Sequence, residues 1–134
     1  MMFEEALYAL LKSHADLAKL VSDRVYPLTL PQKCPLPAIA YQRVSGARMH
    51  ALQGDTGYTM PVLQFSCWAG NYAECKVVAE QLRLCLQNFS GFMGGPDGVF
   101  VGAVLLESEI EGYEPDTGTY YTNLEFQFHY IEQT

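Results

Sequence analysis

Two long strand-like runs joined by a short turn constrain the fold of this chain more than any other feature. The first run extends from Val99 to Glu111, and the second from Tyr120 to Ile131. Typical strands have about 5–6 residues, whereas an arm of about 13 residues at 3.3 Å each would span roughly 43 Å. We therefore expect a hairpin that either curls around its own core or reaches a neighbouring subunit.

The rest of the chain predicts a single α+β domain over residues 1–134. Apolar residues recur at helical spacing from Phe3 to Leu11, and Ser13 is placed to cap a second short helix. Four prolines between Pro27 and Pro37 predict an extended arm or ordered loop, because proline lacks the backbone donor. Strands are expected over Ala38–Val44 and Tyr58–Ala69.

A long helix is predicted after the Tyr58–Ala69 strand. Asn71 is suited to cap its start and Gly91 to end it, and an apolar stripe of cysteine, valine, leucine and phenylalanine follows one helix face. The order of elements favours a mainly antiparallel, twisted sheet with the long β-hairpin, this helix packed on one face, and helices at the N-terminus.

The composition argues against several classes of function. Charged residues make up 17 % of the chain, against about 25 % in an average soluble domain. Net charge is −7 and the 8 basic residues are scattered, so specific binding of DNA or RNA is excluded. The apolar stretches are too short to cross a membrane, and without a signal-like leader we expect a protein made in the cytoplasm.

No catalytic, cofactor or metal site is predicted. The three histidines are widely separated and no two cysteines form a C-x-x-C pair. Pairing Cys34 or Cys67 with a histidine as nucleophile and base is conceivable, but the apolar residues around Cys67 favour a buried, reduced thiol. Trp68 is expected to anchor the core or an interface.

An acidic row is predicted on one face of the first long strand, formed by Glu107, Glu109 and Glu111. Two such carboxylates could in principle act as a catalytic pair. A solvated face or a deliberately repulsive face explains three acids on one strand at least as well, since clustered like charges resist dehydration.

Four segments resemble the tail-completion proteins of long, non-contractile-tailed phages, a family long described as a domain of unknown function. The likeness runs from about Phe3 to Tyr130. It is carried by Tyr26–Leu28, Leu36–Gly46, Cys67–Ala69 together with Tyr72–Glu74, and the hairpin turn Tyr113–Gly118.

The resemblance implies a virion protein without enzymatic activity, located in the tail at the head–tail joint. It would complete or terminate the tail tube as one subunit of a ring, expected to be a hexamer, around the DNA channel. Its implied partners are its own copies, the tail tube protein and the head connector or completion protein, while DNA passes without specific binding. Another neck, head-completion or tail-tube ring subunit is the alternative, and a small cytosolic ligand-binding protein is a weaker one.

Two surfaces are assigned by hypothesis on this basis. The acidic row would face the channel and let DNA slide. The glycine-rich segment Ser45–Gly57 is expected to be a loop. Its part Gly46–Gly57 would contact a partner through Arg48, His50, Leu52 and Asp55.

Overall fold

The helices and strands follow one another along the chain in an α+β order. A computed structural model describes the backbone of residues 2–45, 48–51 and 54–131, and the side chains of 2–44 and 59–131. The helices are α1 (Phe3–Ser13), α2 (Ala15–Val21) and α3 (Tyr72–Leu86). The strands are β1 (Val25–Pro27), β2 (Ala38–Ser45), β3 (Arg48–Ala51), β4 (Gly54–Thr59), β5 (Val62–Ala69), β6 (Gly91–Met93), β7 (Val99–Glu114) and β8 (Thr119–Ile131).

Strand β8 lies at the centre of the sheet. It pairs with β7 along one side, and with β5 and then β4 along the other, always antiparallel. Beyond β5 the sheet continues through β2 to β1, which is its parallel member. Short β6 pairs with the start of β7, and β3 forms a hairpin with β4. The predicted α+β class is confirmed.

The core lies on one face of this sheet, beneath the helices. Every second residue of β8 from Thr122 to Tyr130 is buried, as the two-residue period of a strand requires. α3 packs against β5 and β8, and α2 packs against α3. Phe3 of α1 stacks on Tyr130 with ring centroids 4.6 Å apart. Full burial of an apolar side chain such as Leu124, Phe126 or Phe128 stabilises the fold by about 1.5–3 kcal/mol.

The start of α3 follows from a local hydrogen bond. Asn71 has an extended backbone, and its side-chain oxygen accepts from the Glu74 N–H at 2.8 Å. This bond satisfies one of the amide donors that a helix start leaves free. The predicted cap at Asn71 is therefore confirmed.

Three sequence-based boundaries were wrong. Segment 45–57 is largely strand, because β3 and β4 form a hairpin there. The predicted strand Tyr58–Ala69 is split around Pro61, which cannot donate to a ladder. α3 ends at Leu86 rather than Gly91, since Asn88 already takes a left-handed backbone with φ of 64°.

The predicted cap of α2 was also wrong. His14 holds the N-cap position and makes no side-chain capping bond. The Ser13 hydroxyl instead donates backwards to the Leu10 carbonyl at 2.7 Å, which satisfies a free acceptor at the end of α1.

Candidate functional site

The acidic row lies on β7, where a β-bulge changes its geometry. Leu106 pairs with Phe126 and Ser108 with Glu125, so Glu107 is the extra residue of the bulge. Glu109 lies opposite Leu124 and Glu111 opposite Thr122. Leu124 and Thr122 are buried on the helix side, so Glu109 and Glu111 share the face that carries α3. All three carboxylates are exposed.

Glu111 is paired with the first turns of α3. Its carboxylate lies 2.6 Å from Lys76 Nζ and accepts from the Tyr72 hydroxyl at 3.0 Å. The hydrogen bond from Lys76, then that from Tyr72, lowers the pKa of Glu111 below its usual value. The row therefore contains one neutralised acid, while Glu107 and Glu109 form no salt bridge with any residue whose side chain is described.

Three of the four residues assigned to partner contact lie on the β3–β4 hairpin. Arg48 and His50 belong to β3, and Asp55 of β4 is the register partner of His50. Leu52 and the side chains of the other three lie outside the described residues. The base of the hairpin joins the sheet where Tyr58 and Thr59 pair with Ile131 and Tyr130.

A groove of about 410 Å³ lies beside the face of the sheet that carries no helix. The proline-rich arm forms one side of it through Leu28, Lys33 and neighbouring residues, while Trp68 and Glu114 belong to the sheet. Trp68 is half-buried there, with its ring 5.0 Å from that of Tyr121. Sequence reasoning recognised the arm and Trp68 separately, but only the β2–β5 pairing of Ala38 with Trp68 brings them together.

Three of the four cysteines are arranged as a packed core requires and not as reactive thiols. Cys67, Cys75 and Cys85 are buried and Cys34 is half-buried, and all four are free. Burial raises the pKa of Cys67 and of Cys75, and raises that of Cys85 to about 11. Each of these three thiols is therefore protonated at neutral pH, which disfavours nucleophilic chemistry.

Neither a metal-binding cluster nor a membrane-spanning helix is found in the described part of the chain. There, no group of three or more histidine, cysteine or acidic side chains is placed to share a cation. The helices of that part are all too short or too polar to cross a bilayer.

Comparisons with known proteins identify the family. A search of curated proteins finds no match. Among solved structures, the fold matches a chain from the virion of a native gene transfer agent particle, with a TM-score of 0.76 at 15 % identity, covering 93 % of this chain and 91 % of the other. The model of the family "Tail completion protein gp17" matches residues 5–131. The chain therefore belongs to the gp17 tail completion protein family.

Proposed function

We propose that this chain is a ring subunit that completes or terminates the tail tube at the head–tail joint, around the channel through which DNA passes. The observation that carries the proposal is the family match over residues 5–131. Membership of that family makes the chain a structural virion protein of the tail. A chain with the same fold is present in the virion of a gene transfer agent particle, which supports a structural role in a particle.

The surface of the chain supports assembly with its own copies. Phe92 and Phe100 pack edge-to-face on the outside of β6 and β7, with ring centroids 5.3 Å apart, and both remain about half exposed. Contiguous exposed apolar residues typically mark protein contacts. A ring, which we propose to be a hexamer, would cover such surface, while its two ends meet the tail tube protein and the head connector.

We further propose that the acidic row lines the channel. Because Glu111 is neutralised by Lys76, the repulsion of DNA would come mainly from Glu107 and Glu109. Reversing those two charges to lysine, with Glu111 kept, should slow DNA ejection because the wall would then attract phosphate. The matched control reverses the exposed Asp16 and Asp97, which lie elsewhere on the chain. Equal ejection rates for both variants would refute the assignment.

The β3–β4 hairpin is proposed as the contact with a neighbouring protein of the joint. Among the described residues, it is joined to the end of β8 by two register pairs. Removal of residues 49–56 should leave the core intact and block joining of heads to tails. If the shortened chain still yields joined, infectious particles, the hairpin is not this contact.

Deletion of the gene tests the proposed function itself. We expect filled heads beside unattached tails in electron micrographs of the lysate, and over-long tails if the chain terminates the tube. Heads that leak DNA would instead favour the second candidate, a head-completion or other neck ring subunit of the same joint. Normal infectious particles would overturn both.

A further inference from the structure

We infer that the phenylalanine pair, Phe92 and Phe100 at the β6–β7 edge, docks into the groove between the proline-rich arm and the sheet of a second copy of this chain. The inference rests on the proposed ring and names a contact that would close it. Four properties carry it: the exposure of the pair, the lining and size of the groove, their positions at opposite ends of the molecule, and the opposite charges beside them.

The phenylalanine pair is an apolar projection held on a rigid turn. Phe92 and Phe100 are register partners, and they remain 55 % and 46 % exposed because the alternate residues of both strands take the core side. The turn between the strands is tight, since the Gly98 N–H donates to the Gly95 carbonyl at 2.9 Å. The pair is therefore ordered before it binds, which lowers the entropic cost of binding.

The groove has a preformed and largely apolar lining. The Leu28 N–H donates to the Tyr41 carbonyl of β2 at 2.7 Å, which fixes one end of the arm to the sheet. The arm is then folded by a turn in which the Cys34 N–H donates to the Pro31 carbonyl at 3.1 Å. The apolar residues of the lining are Leu28, Leu30, Pro31, Leu36, Ala40 and Trp68. Preformed apolar pockets of this kind commonly receive the aromatic side chains that dominate an interface.

The volume of the groove fits two phenyl rings. An apolar cavity of about 150 Å³ binds one benzene molecule, so two rings need about 300 Å³. The groove offers about 410 Å³ and therefore admits both rings of the pair. Trp68, on its sheet side, is half-buried and presents a ring to the edge-to-face or offset contacts that aromatic side chains prefer.

The pair and the groove lie at opposite ends of the molecule. Phe100 is at the start of β7, whereas Glu114, at the end of β7, lines the groove. The strand between them spans roughly 46 Å at about 3.3 Å per residue. Because one sheet carries both, the pair cannot reach the groove of its own chain. A contact between them joins two copies head-to-tail, and such heterologous contacts form a ring when the rotation between copies closes.

The other aromatic side chains that are half exposed in the described part of the chain suit the groove less well. Tyr72 and Tyr113 are 50 % and 52 % exposed. The Tyr72 hydroxyl donates to Glu111 at 3.0 Å, and Tyr113 precedes Glu114 at the end that already holds the groove. Both carry a hydroxyl group that would lose its water in an apolar lining. The phenylalanine pair carries no such group.

Opposite charges accompany the two surfaces. Asp97, exposed on the turn beside the pair, is the only charged residue between positions 84 and 106. Lys33, exposed on the arm, is the only charged residue between positions 25 and 42. Glu114 also lines the groove, but its carboxylate accepts from the Asp116 N–H at 3.1 Å within the hairpin turn. Docking brings Asp97 towards Lys33, which favours one orientation of approach.

Photo-crosslinking in assembled particles tests the contact. Single codons in the native gene replace Phe92 or Phe100 with p-azidophenylalanine, which keeps the ring and adds only an azide group. The matched control places the same residue at Val77 on α3, which is 47 % exposed. Purified infectious particles are irradiated, the products are separated on denaturing gels, and the attached peptides are identified by mass spectrometry.

We expect the variants at Phe92 and Phe100 to convert most of the 15.0 kDa band into multiples in which the label is attached to residues 28–40 or to Trp68 of another copy. The Val77 variant should give no attachment at those residues. Adding Leu28→Glu to the Phe92 variant places a charge beside the groove at a site that is 74 % exposed, and should remove most of the product.

Attachment to a different protein of the joint, or to another surface of this chain, would overturn the groove as the docking site. Absence of attachment in infectious particles would overturn the contact as well. Either result leaves the proposed function standing, since that function fails only if deletion of the gene leaves particles normal.

Discussion

Replacement of Gly112 by alanine should destabilise the fold, whereas the same change at Gly102 in the same strand should not. A methyl group at position 112 would lie 2.2 Å from Cζ of Tyr121, where ordinary contacts begin at 3.4 Å. The Tyr121 ring would therefore have to move by about 1.2 Å, and overpacking of this kind typically costs about 1–3 kcal/mol. Alanine in a strand returns about 0.5–1 kcal/mol relative to glycine.

The two substitutions should therefore change the free energy of unfolding in opposite directions. At position 102 the nearest atom to the new methyl group is the His129 carbonyl oxygen, at 3.7 Å, so only the favourable contribution remains. We expect Gly112→Ala to lose about 1 kcal/mol, a central overpacking cost of about 2 less a return of about 0.75, and Gly102→Ala to gain slightly, measured by urea unfolding with circular dichroism. Trp68 is the only tryptophan and contacts Tyr121, so its fluorescence should change in Gly112→Ala alone.

A double-mutant cycle identifies the cause of the loss. In a Tyr121→Ala background the ring is absent, and Gly112→Ala should then be neutral or slightly stabilising. A Gly112→Ala variant as stable as the native chain would refute the reasoning. A loss that survives in the Tyr121→Ala background would show that the backbone, and not the ring, resists the methyl group.

Three further predictions concern a cap, an ion pair and the buried thiols. Asn71→Ala should cost about 1 kcal/mol of unfolding free energy while Asn71→Asp retains the cap; equal losses in urea unfolding would contradict this. Lys76→Met should raise the pKa of Glu111 in an NMR titration, because its main hydrogen-bond donor is removed; an unchanged pKa would show that the pair is absent in solution. In the native chain, the hydrogen bonds to the ionised Glu111 stabilise the fold fully above the ordinary pKa of 4.5. This stabilisation is lost as the pH falls through the lower pKa that Glu111 has in the folded chain. Burial raises the pKa of Cys67 above the ordinary 9.0, so the stability that the buried neutral thiol contributes is fully present below pH 9.0. Above pH 9.0 the thiol ionises more readily in the unfolded chain, and the free energy of unfolding falls by about 1.4 kcal/mol per pH unit. Cys67→Ala should reduce the slope of the free energy of unfolding against pH above 9.0, measured by urea unfolding. An equal slope in the native chain and the variant would refute Cys67 as its cause.

Local patterns allowed part of the fold to be predicted. The alternation along β8 is a property of neighbouring residues, so its buried face could be assigned without knowing its partners. The cap at Asn71 depends on a residue only three positions away. Pro61, which splits the predicted strand at 58–69, was a readable signal that the periodicity of the flanking residues obscured.

The candidate site could not be predicted in the same way because its geometry depends on distant residues. The bulge at Glu107 is a property of the pairing between β7 and β8. The neutralisation of Glu111 needs Lys76, which lies 35 positions earlier and comes close only when α3 packs on the sheet. Charge patterning in one strand therefore predicted an acidic face but not which of its members remain unpaired.

The central place of β8 has a consequence for synthesis of the chain. It is the last strand in the described part of the sequence, yet it joins β5 and β4 on one side to β7 on the other. Until it leaves the ribosome, the earlier strands can form only three separate fragments, β1–β2–β5, β3–β4 and β6–β7, whose edges toward β8 are open. Nascent chains stalled before residue 119 should accordingly be aggregation-prone and dependent on chaperones, and cooperative folding should begin only after the β8 residues have emerged.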